Sequence, residues 1–284
     1  MEDLNFTQSP AKPDYDPVYA YKFFRSTGNE ITLPAGKTVF VEDKKASRLL
    51  FQEDKMYQMI EGEVAITINK KLIATIHKGE IFGEMAFSTR AARSATATTT
   101  TQCKLIALDE SQFMAALRVR PDFAIVLMSI MAERLREMIA RLSATGALPE
   151  NVEAKESAVF KDELLAELIE EIGEREIMRF TSGKTILQEG QAGVLMYVVL
   201  EGQVAVTIQN YTVERVSPGG MFGEIALIER TARLASAVAE TDCALLPINR
   251  NVFLELVKKN PLFCVTLLSA VGDRALYIAS QYAG

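Results

Sequence analysis

Two hydrophobic rhythms alternate along the chain. Short runs such as "YQMIEGEVAITI" (57–68) and "YVVLEGQVAVTI" (197–208) read as short strands of alternating character. Gly36, Gly62, Gly79, Gly83, Gly183, Gly202, Gly219, Gly220 and Gly223 break them at regular intervals, the pattern of many short strands joined by tight turns. Between and after these runs the period changes to that of a helix. In "RPDFAIVLMSIMAERLREMIARLSATG", Leu127, Met131, Leu135, Met138 and Leu142 share one face of a helix predicted over 121–144, and Gly146 followed by Pro149 stops it. "KDELLAELIEEIG" (161–173) predicts an amphipathic helix, and "NPLFCVTLLSAVGDRALYIASQYAG" a terminal one.

The strand-rich segments repeat. The run at 57–68 returns 140 positions later at 197–208. Upstream, "LPAGKTVF" (33–40) matches "FTSGKTIL" (180–187) at an offset of 147, so the first copy carries seven extra residues. They fall around "DKKASRLLFQED", whose charge predicts a surface loop. A repeat on this scale decides the fold. The expected class is mainly β with flanking helices: two tandem jelly-roll-like β-rolls, each followed by C-terminal helix. The expected division is a flexible tail over 1–20, a first unit over 21–147, a polar linker over 148–160 and a second unit over 161–284.

Composition narrows the chemistry. The 284 residues are 49% hydrophobic and 24% charged with a net charge of −6, a globular profile without the basic face that nucleic acid requires. "MEDLNFTQSPAKPDYDPVYA" lacks a basic region followed by an apolar run, and no stretch reaches 18 uninterrupted apolar residues. A cytoplasmic protein is therefore expected. Cys103 and Cys243 occupy equivalent places in the two repeats and read as small buried hydrophobes. His77, the single histidine, stands alone in "IHKGE", so neither a metal site nor a catalytic triad is expected, and the protein is read as a non-enzyme.

The stretch that carries chemistry is "IFGEMAFSTRAARSATA" (81–97), repeated as "MFGEIALIERTARLASA" (221–237). An arginine among small and apolar residues inside a roll bears a desolvation cost of several kcal/mol unless an anion meets it. Its planar fork suits phosphate, and a glycine turn that opens a helical turn supplies free backbone N–H groups. The carboxylates of Glu84 and Glu224 suit a sugar hydroxyl. A pocket wanting both a phosphate and a vicinal hydroxyl describes a nucleotide with a constrained sugar–phosphate.

Both stretches resemble the phosphate-binding cassette of cyclic-nucleotide-binding domains, found in bacterial catabolite activators, kinase regulatory subunits and nucleotide-gated channels. The resemblance includes the "EG" motif at Glu61–Gly62 and Glu201–Gly202 and covers nearly the whole chain twice. It implies that Glu84 and Glu224 bind the ribose 2′-hydroxyl and that Arg93 and Arg233 bind the cyclic phosphate. Backbone amides of Gly83, Glu84, Met85 and Ala86, and of Gly223, Glu224, Ile225 and Ala226, complete each cradle. Ser94 follows Arg93 with a hydroxyl for the phosphate, whereas Leu234 follows Arg233 and offers none.

The implied function is a receptor for a cyclic nucleotide, cAMP favoured over cGMP, that signals to a protein effector by helix movement. Helix 121–144 is expected as a homodimer contact. Arg90 and Arg230, three before each key arginine, keep a cyclic dinucleotide open as ligand. A degenerate roll serving only as an assembly scaffold is the competing class. A transcription factor is disfavoured for want of a recognition helix after either roll. A kinase regulatory subunit is disfavoured because residues 1–20 contain no arginine cluster.

Overall fold

The structure, a computed structural model, describes residues 16–42, 55–84, 93, 95–131, 133, 155–157, 159–173, 176–208, 211–224, 233 and 235–280. Asp16 and Pro17 open the first element. The Asp16 side chain accepts from the Val18 N–H at 2.8 Å, and Pro17 sits in the first turn, where its missing donor costs nothing. They start α1 (Pro17–Thr27), which buries Ala20, Phe23 and Phe24. Residues 17–20 are thus helix rather than tail, a correction forced by this cap and by the apolar face behind it.

The first roll comprises β1 (Asn29–Leu33), β2 (Thr38–Phe40), β3 (Met56–Glu61), β4 (Val64–Ile68), β5 (Lys71–Ile76), β6 (Ile81–Phe82), β7 (Thr96–Thr99) and β8 (Cys103–Leu108). They form two antiparallel four-stranded sheets, ordered β1-β8-β3-β6 and β2-β7-β4-β5. α2 (Glu110–Val119) follows, started by a capping box between Asp109 and Gln112, and α3 runs over 123–131.

The second unit repeats this order. After β9 (Lys155–Ser157) and α4 (Asp162–Ile172) come β10 (Met178–Phe180), β11 (Thr185–Leu187), β12 (Leu195–Glu201), β13 (Val204–Ile208), β14 (Tyr211–Val216), β15 (Met221–Phe222), β16 (Ser236–Ala239) and β17 (Cys243–Asn249). The sheets are β10-β17-β12-β15 and β11-β16-β13-β14-β9. α5 (Arg250–Lys259) and α6 (Pro261–Ser280) close the chain.

β9 lies inside the expected linker yet is paired. It runs parallel to β14, and the Val159 and Phe160 N–H groups both donate to the Gly219 carbonyl. The end of the linker is therefore docked on the second roll. Residues 148–154, with most of the seven-residue insertion, lie outside the described residues.

The strands adjoining the helices do not alternate as expected but are buried on both faces, because the helices cover the side turned away from the roll interior. Tyr57 and Met59 of β3 enter the interior of the first roll with Leu105 and Ala107 of β8. Met56, Ile106 and Leu108 face the other way, into a core built with the helices. In the second roll Tyr197, Val199 and Leu245 fill the interior while Met196, Val198, Leu246 and Ile248 face outward. The "EG" motifs make the turn between β3 and β4 and between β12 and β13. Gly62 and Gly202 have φ of 95° and 84°, and a Cβ on either would stand 2.4 Å from the Gln102 carbonyl oxygen or 2.2 Å from that of Asp242.

The outward faces of both rolls join one hydrophobic core. It holds Phe23, Phe113, Phe123, Leu127, Met128 and Met131 from the first unit with Phe253, Phe263, Leu267 and Leu268 from the second. α2 packs against both α5 and α6. The described part of the 121–144 helix buries its apolar face within the chain; residues 132 and 134–144, which carry Leu135, Met138 and Leu142 of the face expected as a homodimer contact, lie outside the described residues. Phe123 stacks on Phe23 with ring centroids 3.7 Å apart. Phe123→Ala should cost about 3–5 kcal/mol of unfolding free energy in a urea titration, the range for an aromatic deleted from a packed core. A loss below about 1 kcal/mol would contradict this packing.

Candidate functional site

In the first roll β6 ends at Phe82, and Gly83, with φ of +79°, turns the chain into Glu84. A Cβ at position 83 would stand 3.1 Å from Arg93 Nη1 and 3.2 Å from the Lys55 carbonyl oxygen. The missing side chain leaves that space to the arginine. Arg93 Nη1 donates to the Gly83 carbonyl at 2.9 Å and Nη2 to the Lys55 carbonyl at 3.0 Å. Its guanidinium carbon lies over the Phe40 ring, 4.3 Å from the centroid. Arg93 is only 6% exposed, and the adjacent Glu84 is fully buried.

The second roll reproduces this anchor. Gly223 has φ +79°, Arg233 Nη1 donates to its carbonyl at 2.9 Å, and Nη2 donates to the Leu195 carbonyl at 2.8 Å. Glu224 is buried beside it. Burial pulls the Arg233 pKa below its ordinary value, while Tyr197 and Glu224 oppose that fall. Burial likewise pushes the Tyr197 phenol up, with nearby Arg233 countering.

The surroundings of the two arginines differ. Position 187, equivalent to Phe40, is leucine. The backbone of Arg233 is also held, its N–H donating to the Gln191 carbonyl and its own carbonyl accepting from Gly190 N–H, both at 2.9 Å. Gly193 then lies directly against the guanidinium, since a Cβ there would be 2.2 Å from Nη2 and 2.5 Å from Nε.

A family model for the cyclic nucleotide-binding domain matches residues 30–120 and 177–260. The chain belongs to the cyclic nucleotide-binding domain family. Among solved structures it is similar to the regulatory domain of Toxoplasma gondii PKA with cAMP, at 21% identity over 92% of this chain and 90% of that one, TM-score 0.31. It is also similar to the regulatory subunit of a cAMP-independent protein kinase A from Trypanosoma brucei, at 17% identity over 97% of each chain, TM-score 0.33. The Thermus thermophilus catabolite activator protein matches at 30% identity over 44% of this chain and 60% of its own, TM-score 0.37. The family model, matching both rolls, carries the assignment.

Within this cyclic nucleotide-binding pair, the structure brings together Gly83 with Arg93 and Gly223 with Arg233, each beside its buried glutamate. Met85, Ala86, Ser94, Ile225 and Ala226 lie outside the described residues, as do Arg90, Arg230 and Leu234. His77 is exposed near Glu63, with Nδ1 3.5 Å from the carboxylate. Among the described residues no group of histidine, cysteine and carboxylate side chains could hold a metal, and no helix is long and apolar enough to cross a membrane.

Sequence reasoning missed Phe40, Gly193 and the carbonyls of Lys55 and Leu195. Phe40 was within reach, because aligning "KTVF" with "KTIL" sets it opposite Leu187. The carbonyls carry no residue signal at all. The glycine of each turn serves the arginine directly, a use the anion-cradle argument did not contain. Gly193→Ala should lift Arg233 off the Gly223 and Leu195 carbonyls, seen as a displaced Arg233 Nε–Hε resonance in the ligand-free protein. An unmoved resonance would show that the seat tolerates a side chain.

Proposed function

We propose that this chain is a non-enzymatic intracellular receptor that binds a cyclic nucleotide, cAMP rather than cGMP, and signals to a protein partner through its helices. The observation that carries the reading is the recurrence, in both rolls, of an arginine, buried in the first and half-buried in the second, anchored on the carbonyl of the cassette glycine next to a buried glutamate. A guanidinium is a planar fork of five N–H donors that stays protonated. A cyclic phosphate suits it through paired charge-assisted bonds. On this reading Arg93 and Arg233 meet the phosphate, and Glu84 and Glu224 accept the ribose 2′-hydroxyl. The amides of 83–86 and 223–226 close the cradles, and Ser94 adds a hydroxyl at the first.

Transmission follows from the short strand before each cassette. Ile81 of β6 packs in the helix-bearing core while its neighbour Phe82 packs inside the roll, and Met221 and Phe222 of β15 do the same. A ligand that reorders residues just after Phe82 or Phe222 therefore acts on both cores at once. It shifts the helices to the extent that it binds one arrangement more tightly. The ligand-free scaffold is the second reading, favoured by the arginines' engagement with protein carbonyls.

Calorimetric titration of nucleotide-stripped protein with cAMP, cGMP and a cyclic dinucleotide separates them. Arg93→Ala should weaken cAMP binding at the first site roughly a hundredfold, the equivalent of about 3 kcal/mol, and Arg233→Ala should do so at the second. No heat from any ligand with folded protein would leave the scaffold.

A further inference from the structure

Both rolls anchor the arginine on the same two carbonyls, and they differ at one pair of equivalent positions beside it. β2 pairs Phe40 with Ala97, and β11 pairs Leu187 with Ala237, which lies 140 positions on. Both side chains fill the same place: Phe40 Cε1 would be 3.2 Å from a Cβ on Gly83, and Leu187 Cδ1 3.0 Å from one on Gly223. We infer that Phe40 is a positioning residue for Arg93, and that leucine at 187 makes the two nucleotide sites non-equivalent.

Phe40 is itself fixed. Its ring lies 6.2 Å from Tyr57 and 6.0 Å from Phe82, which stack on each other at 5.1 Å. Tyr57 and Phe82 face one another across β3 and β6, so the group is tied to the strand that enters the cassette. Arg93 caps it at 4.3 Å. The negative face of an aromatic ring attracts a guanidinium, more strongly where water is excluded, and it restrains a side chain that otherwise keeps several rotatable bonds. The fork is then presented to a phosphate already ordered, which lowers the entropy lost on binding. In the second roll Tyr197 and Phe222 still stack, at 5.4 Å, but the series stops there. Leucine has no ring face, and Arg233 rests on the backbone at Gly193. Apolar filling of the roll alone would make phenylalanine and leucine interchangeable at position 40; the ring contact makes them different.

The ligand arm of this inference rests on the proposed cyclic-nucleotide reading, so its test has a second arm that does not. Phe40→Leu and Phe40→Tyr are compared in an Arg233→Ala background, where only the first site reports. In the ligand-free protein the Arg93 Nε–Hε resonance should carry a ring-current shift that Phe40→Leu removes and Phe40→Tyr keeps. In cAMP titration Phe40→Leu should bind on the order of tenfold more weakly, while Phe40→Tyr binds within about twofold of the background protein. Circular dichroism confirms that each variant is folded. If the resonance is the same with leucine as with phenylalanine, or if tyrosine binds as weakly as leucine, the positioning role is overturned. If no variant binds any nucleotide, the receptor reading fails and the resonance alone decides whether Phe40 places Arg93.

Discussion

A guanidinium buried in a β-roll is a constraint on everything around it. It keeps its charge, so every wall it touches must offer an acceptor, a ring face or a counter-ion. Here the acceptors are two main-chain carbonyls, one at the start of a strand or just before it and one at the glycine turn that follows its antiparallel neighbour. Carbonyls can converge in this way only if the strands carrying them are in the right register and the turn has a positive φ. The β3–β6 and β12–β15 pairings and the paired glycines are the scaffolding of two arginine seats.

The seat is linked to the helices through sheet geometry. Because successive strand residues point to opposite faces, a two-residue strand is enough to touch two cores. Ile81 and Phe82, and again Met221 and Phe222, are such couplings. The helices beyond them belong to one core shared by both units, so neither roll's outer face is independent of the other.

Much of this was legible in the sequence, for definite reasons. The repeat exposed the tandem rolls, and the Glu–Arg spacing within each copy marked the residues that the fold gathers. The glycine breaks located the turns because positive φ excludes most other residues there. One feature was misjudged. Asp16–Pro17 is a helix-start signal, but a polar N-terminal composition obscured it; the burial of Phe23 and Phe24 shows why the helix forms. The apolar stripe through Leu127 and Met131 was correctly seen as a packing face, yet periodicity says that a face is covered and not by what. The carbonyls of Lys55 and Leu195 were beyond reach, since a main-chain acceptor is the same in every residue.

The shared core has one more consequence. A symmetric homodimer built from identical rolls cannot change one pocket without changing the other, because each substitution appears twice. Joining two copies on a single chain around a common interior removes that bond of identity while keeping the contact. A ring can then stand over the arginine at 40 while an aliphatic side chain stands at 187. The duplication keeps a shared interior and frees its halves to age separately.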